Sequence, residues 1–275
     1  MIALFGANGY LGKQLNHYFV EKGTEIDGFD IPGCDVTDAD FWTRFEPARY
    51  SSIMFFAGLT GTEAGFADAV RYTSVNDLGL LNLLVKLAPL GKNAPKVIFP
   101  SSRLVFKGSD EPLAEDAPKE AKTVYAANKI ACELYLEVYH NRFGIPYDVV
   151  RICVPYGSII SSDYSYGTIG FFMREIAAGR PIALFGGGKQ GRTFTHVEDI
   201  CSAVELLMDS KESGVFNVGG ENLSLYEAAL KVVGGDTTKV RATDWPLQAL
   251  LIESGGTMFD STKLEKLGWK ARHVL

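Results

Sequence analysis

Ile2-Ala3-Leu4-Phe5-Gly6-Ala7-Asn8-Gly9-Tyr10-Leu11-Gly12 is the stretch that decides the fold. Four apolar residues run into glycines at positions 6, 9 and 12, and Leu11–Lys22 then carries a helical pattern. Glycine permits a tight turn and lets a backbone approach a pyrophosphate, while the helix N-terminus behind it offers free N–H groups and a partial positive charge. The same glycines would serve a plain turn. Their place between a strand and a helix makes Gly6, Asn8, Gly9, Tyr10, Leu11 and Gly12 a dinucleotide-binding loop. Asp30 closes a second apolar run, Glu25–Asp30, where a carboxylate can accept hydrogen bonds from the adenosine ribose hydroxyls. No Lys or Arg stands between Lys22 and Arg44, and that interval carries Glu25, Asp27, Asp30, Asp35, Asp38 and Asp40. A 2′-phosphate would meet only acids there, so the expected cofactor is NAD and not NADP.

Working outward, Ser52–Ala57, Lys96–Pro100 and Tyr147–Val154 read as further short strands, apolar on both faces. Leu78–Leu87 reads as a leucine-rich helix, and Val124–Phe143 as a long helix ended by Gly144 and Pro146. Strands alternating with helices predict an α/β, doubly wound parallel sheet of Rossmann type. After Val154 the texture changes. Residues 155–170 and Gly186-Gly187-Gly188 read as loop, and Val215–Val218 as a late strand. The expected division is a dinucleotide-binding domain of residues 1–155 plus about 195–218. A smaller substrate-binding unit takes 156–194 and 219–275.

Composition excludes several classes. With 47% hydrophobic and 22% charged residues in 275, the chain is not of the disordered type. A net charge of −6 is the reverse of what nucleic-acid binding asks. No apolar run approaches the roughly 18–20 residues of a membrane span, and no signal peptide is expected because Ile2–Phe5 runs straight into the glycines. Cys34, Cys132, Cys153 and Cys201 form no Cys-x-x-Cys pair, which suits buried, reduced thiols in a cytoplasmic protein.

Tyr125 and Lys129 lie four apart, on one face of the long helix. Chance supplies such a pair about once in this composition, and Tyr18 with Lys22 is a second one, read as an ordinary helix contact. Context separates them, because Tyr125 follows a strand ending in Pro100-Ser101-Ser102, at the carboxyl edge where ligands bind in such sheets. Taken together, the three glycines, Asp30, Ser102, Tyr125 and Lys129 resemble the extended short-chain dehydrogenase/reductases, the NAD-dependent nucleotide-sugar epimerases and dehydratases. Asp35-Val36-Thr37-Asp38 is similar to that family's adenine-contacting segment, Ala57-Gly58 to its turn after the fourth strand, and Asn76–Leu84 to its Asn-x-x-Gly helix. Ser101–Phe106, Arg192–Asp199 and Phe216–Gly219 resemble its later blocks, so the likeness runs from residue 2 to about Trp269. It implies that Ser102, Tyr125 and Lys129 are catalytic. Asp35, Val36, Ala57, Gly58, Asn76, Tyr125 and Lys129 would join the glycine loop and Asp30 around NAD, and a homodimer would form through helices near 66–88 and 123–142. Ser102 would hold the reacting oxygen and Tyr125 would move its proton. Lowering a tyrosine pKa from about 10 toward 7 takes roughly 4 kcal/mol, which the Lys129 ammonium and the positive nicotinamide ring would supply.

On the substrate side the resemblance implies a nucleotide sugar, with Ser102 on the sugar and Arg192 on the diphosphate. Ser158–Thr168, with Tyr164 and Tyr166, resembles a substrate loop. His196, Glu198 and Asp199 have the spacing of no common metal site, so no metal is expected, and Asp199 is read as the cap of the following helix. Val154 stands where many relatives carry an Asn that touches substrate. Arg103 and Leu104 stand where dehydratases carry Asp-Glu, which disfavours dehydration. The expected activity is a 4-epimerase working through a transient keto sugar. The alternatives are a nucleotide 4-ketosugar reductase and, from another class, a non-catalytic NAD sensor or scaffold. Retention of Ser102, Tyr125 and Lys129 argues against the last.

Overall fold

The computed structural model describes residues 1–161 and 166–275. A six-stranded, wholly parallel sheet carries the chain's first half, built from β1 (Ile2–Phe5), β2 (Ile26–Phe29), β3 (Ser52–Phe55), β4 (Lys96–Ser102), β5 (Tyr147–Ile152) and a later strand, Gly214–Asn217. Between them run α1 (Tyr10–Glu21), α2 (Ala39–Arg44), α3 (Thr62–Ala67), α4 (Ala69–Thr73), α5 (Gly79–Leu87) and α6 (Val124–Phe143). A single π turn, Ser74–Leu78, joins α4 to α5.

Strand periodicity sorts the core into two layers. Ala3, Phe5, Ile53, Phe55, Val97, Phe99 and Val149 point to one face, where they meet Leu80, Leu83, Leu84, Leu87 and Leu136. Ile2, Leu4, Met54, Ile98, Val150 and Ile152 point to the other and meet Leu15, Phe19, Val204 and Leu207. Burial on both faces is why these strands are apolar throughout. Thr123 accepts from the Ala126 N–H at 3.1 Å to start α6, and Gly144 ends it at φ 79°.

The second unit has β6 (Val154–Tyr156), α7 (Gly167–Ala177), β7 (Ile182–Phe185), β8 (Gly191–His196), α8 (Val197–Asp209), β9 (Gly214–Asn217, the sixth strand of the large sheet), β10 (Glu221–Ser224), α9 (Leu225–Val232), β11 (Val240–Thr243), α10 (Leu247–Leu251) and α11 (Thr262–Glu265). Sheets of order β10-β8-β6 and β11-β7 enclose a core of Phe106, Phe172, Leu184, Phe194 and Phe259. Residues 155–170, read as loop, therefore contain the end of β6 and the start of α7. The chain returns to the large sheet through α8, which packs Val204 and Leu207 on its core, and β9, its sixth strand. Asp199 is not a cap. His196 takes that place, accepting from the Glu198 N–H at 3.3 Å, while Asp199 inside α8 accepts from the Arg272 and His273 N–H groups at 3.0 Å each and ties down the C-terminal segment.

Candidate active site

Sheet order β2-β1-β3-β4-β5-β9 reverses direction between β1 and β3, which opens a crevice at their carboxyl ends. The glycine loop fills the β1 side of it. Gly6 has φ +82°, and a Cβ there would lie 2.6 Å from the Ala57 nitrogen. A Cβ on Gly12 would lie 2.0 Å from the Gly6 oxygen, so helix α1 and the loop touch backbone to backbone. Gly9 is the N-cap of α1, and the Asn8 N–H donates to the Asp30 carboxylate at 2.8 Å. Asp30 thus holds the loop from the end of β2 and also accepts from the Ile31 N–H at 2.8 Å. Its remaining lone pairs can take ribose hydroxyls. A glycine cradle closed to any Cβ, a free helix N-terminus and a carboxylate eighteen residues on fit NAD.

Other expected cofactor residues divide. Gly58 lines the cleft, and a Cβ on it would sit 3.0 Å from the Asn76 side-chain oxygen. Asn76 spends both ends of its amide on Leu59, accepting from its N–H at 2.7 Å and donating to its carbonyl at 3.1 Å, so it shapes the loop after β3. Ala57 backs Gly6. Asp35 is committed to a turn with the Thr37 N–H and hydroxyl, which holds its carboxyl below the usual range. Val36 is buried against Gly79, and its carbonyl accepts from Trp42 Nε1 and from the Asn82 amide. The structure places Val36 in packing and Asp35 in an exposed turn, neither lining the cleft.

Ser102 ends β4 and Tyr125 opens α6, which brings them to the same end of the sheet. Both side chains line the cleft, and the Ser102 hydroxyl accepts from the Leu104 N–H at 3.2 Å. Burial pushes the Tyr125 phenol above its ordinary value and the Ser102 contact opposes it. Lys129, one turn further along α6, donates to the Pro100 carbonyl at 2.7 Å, with its ammonium 5.7 Å from the Tyr125 ring centre. Burial pushes Lys129 down to about 8, so it stays a cation at neutral pH. Tyr18 and Lys22 instead meet each other and Glu205 on the outside of α1 and α8.

Sequence reasoning missed what fixes Ser102 from behind. Glu133 on α6, buried, accepts from the Ser101 hydroxyl at 2.6 Å, from Arg151 Nε and Nη2 at 2.8 and 2.7 Å, and from Lys119 at 2.8 Å. Two side chains on β4 and β5 are thereby locked to the helix that carries Tyr125 and Lys129. Charged residues usually signal surface, so nothing in the spacing exposes such a pair. Removing one partner of a buried ion pair costs about 3–5 kcal/mol. Glu133→Leu is therefore expected to lower the folding free energy by about that much in urea titration, and an unchanged midpoint would refute the bracing role.

The cleft has a volume of about 860 Å³, in the range of ligand sites, and runs from the glycines past Ser102 and Tyr125 to β8. Tyr10 bridges its two sides, donating to the Gly157 carbonyl at 2.7 Å and stacking on Tyr166 with ring centres 4.0 Å apart. Tyr164 lies outside the described residues. Val154 lines the wall. Arg192 faces the same cleft from β8 at only 2% exposure. It is paired to Glu253 at 2.8 Å and donates to the carbonyls of Gly191 and Gly255. Arg192 therefore builds the loop over the cleft as well as facing it. Arg192→Ala is expected to cost about 3 kcal/mol of stability and to raise the substrate KM, with NAD affinity preserved. An unchanged melting temperature would contradict the structural half. His196, Glu198 and His273 have ligand-type atoms within 4.8 Å of one another, and the His273 ring also lies 3.0 Å from the Asp199 carboxylate and 3.4 Å from that of Glu198, contacts that anchor the C-terminal segment.

A doubly wound sheet with a glycine crevice and a Ser/Tyr/Lys group at its carboxyl edge defines a nucleotide-dependent oxidoreductase of the Rossmann type. The sequence profile of the NAD dependent epimerase/dehydratase family matches residues 2–219, and the chain belongs to that family. NAD is its cofactor and the chain is an enzyme of that class. It is 30% identical over 243 residues, 78% of this chain and 73% of the relative, to a UDP-glucuronate 4-epimerase of Thermodesulfobacterium geofontis. It is 26% identical to a mouse dTDP-D-glucose 4,6-dehydratase over 86% of this chain and 68% of that one. The fold matches the crystal structure of a Thermus thermophilus UDP-glucose 4-epimerase complex with NAD at a TM-score of 0.85, with 23% identity, over 100% of this chain and 94% of that one. With Asp30 at the end of β2 and no Lys or Arg between Lys22 and Arg44, NAD is expected to bind roughly tenfold or more tighter than NADP. Equal affinities in a fluorescence titration would overturn that assignment.

Proposed function

We propose that the protein is an NAD-dependent nucleotide-sugar 4-epimerase. The observation that carries this reading is the convergence of Ser102, Tyr125 and Lys129 on one end of a cleft whose other end is the glycine cradle. Ser102 donates to the oxygen of the sugar hydroxyl and orients it. Tyr125 takes that hydroxyl's proton at its phenolic oxygen and later returns it. The Lys129 cation, 5.7 Å from the Tyr125 ring centre, stabilises the phenolate, against the burial that raises the phenol's pKa. Bound NAD supplies reversible hydride acceptance at the sugar carbon. The tyrosines 10 and 166 close the cleft wall, and the Arg192 guanidinium faces the diphosphate. Leu104 and Arg103 offer no carboxylate beside Ser102, which favours epimerisation over elimination of water. Proton NMR of the protein with UDP-, dTDP-, GDP- and CDP-sugars tests the reading. Formation of a C4 epimer without consumption of NADH is expected. Conversion of 4-keto sugars alone, with NADH oxidised, would replace it by the reductase.

The protein pairs with a second copy through the face that Phe66, Val70, Leu78 and Val85 form with Leu134 and Val138 of α6. These are 46–80% exposed and recur at helical spacing. Light scattering at micromolar concentration should give twice the chain mass, and Val70→Glu with Val138→Glu should return it to one. A wild-type monomer would dismiss the interface. All four cysteines are buried and unpaired, and no helix among the described residues is long and apolar enough to cross a membrane; both suit the cytoplasm.

A further inference from the structure

Arg103 has no part in the chemistry described above, yet it lines the cleft directly beside Ser102. Its one side-chain hydrogen bond among the described residues is a long one, 3.5 Å to the Thr257 hydroxyl. No carboxylate among the described residues lies within ion-pair distance of it. The neighbouring Arg192 already claims Glu253 at 2.8 Å. Two guanidinium groups thus stand in a partly enclosed cavity with Glu253 paired to Arg192 alone, leaving a net positive charge with unspent donors on Arg103. Burial first, then the Arg192 charge, push Arg103 down to about 10, so it remains a cation under any working condition. A half-buried charge without a carboxylate partner and beside a like charge is costly, and a cleft that retains it suits an anion.

Resting on the epimerase reading, we propose that Arg103 binds a carboxylate carried by the substrate's sugar ring, so that the enzyme selects nucleotide sugar acids over neutral nucleotide sugars. Chain position favours this over the diphosphate. Arg103 directly follows Ser102, in the cleft that Ser102 and Tyr125 line. The hydroxyl these two engage is at C4, whereas the diphosphate leaves from C1, across the ring. C4 is flanked by C3, which carries a hydroxyl, and by C5, which is where a sugar acid carries its carboxylate. A planar guanidinium meets a carboxylate with two parallel hydrogen bonds.

Calorimetry on the NAD-loaded full chain tests this with UDP-glucuronate, UDP-glucose and UDP alone, and with the dTDP counterparts. The wild type is expected to bind the glucuronate roughly 10–100-fold tighter than the glucose compound, the range of charge-assisted hydrogen bonds. Arg103→Gln should collapse that ratio to near unity, and Arg103→Lys should restore part of it. NAD affinity and melting temperature report whether each variant is folded. Equal affinity of the wild type for the two sugars overturns the proposal. So does a loss of affinity for UDP alone in Arg103→Gln as large as the loss for UDP-glucuronate, because Arg103 would then serve the diphosphate. Preference without turnover would leave the carboxylate site standing and remove the epimerase reading instead. Turnover of neutral sugars without preference would do the opposite.

Discussion

Tyr125→Phe is expected to lower kcat by roughly 10²–10⁴-fold, the worth of proton transfer by a placed side chain. The substitution removes one oxygen and keeps the ring, so its contacts near Lys129 and Tyr166 persist. NAD should bind with unchanged affinity, because the glycine loop and the Lys129 contact to Pro100 do not depend on the phenol. Tyr18→Phe is the control. Its hydroxyl meets Lys22 and Glu205 far from the cleft, so kcat should hold. Full activity in Tyr125→Phe would contradict the assigned mechanism.

Gly12→Ala should abolish measurable NAD binding. A Cβ at Gly12 would stand 2.0 Å from the Gly6 oxygen and 2.9 Å from its carbonyl carbon, both backbone atoms that cannot swing aside. Helix α1 must then lift from the loop, and Gly6 cannot follow because it is pressed against Phe56 and Ala57. The helix N-terminus would move off the pyrophosphate, which is held by distance-sensitive backbone N–H groups. Gly23→Ala is the comparison. Nothing lies within 4 Å of the added Cβ, but φ is +78°, so it should cost stability modestly and leave NAD binding intact. A Gly12→Ala protein that binds NAD normally would show that the loop is not the pyrophosphate site.

Much of this was legible in the sequence, and the physical reason differs from part to part. The β1–loop–α1 unit is readable because backbone-to-backbone contact admits only glycine. Helix α6 is readable from Val124 to Phe143 because Thr123 and Gly144 punctuate it locally. The strands β7, β8, β10 and β11 escaped, because each is short and finds its partner in a distant segment, as Glu221–Ser224 does against Gly191–Phe194. The side chains proposed as catalytic carried a spacing, whereas their supports did not. Glu133 with Arg151 reads as ordinary helix and strand charge until the fold buries both, and Glu253 opposite Arg192 has no local signal at all. Asp199 misled because a carboxylate early in a helix is the common cap, while here the chain's last residues needed it more.

Deuterium placed at C4 of the nucleotide sugar gives the most direct test of the central claim. Epimerisation through a transient keto sugar returns the carbon-bound hydrogen to the carbon it left. The product should therefore keep its deuterium at C4, with the opposite configuration and no net change in nicotinamide absorbance. Inversion with deuterium lost to solvent, or oxidation of NADH in step with product, would contradict the account.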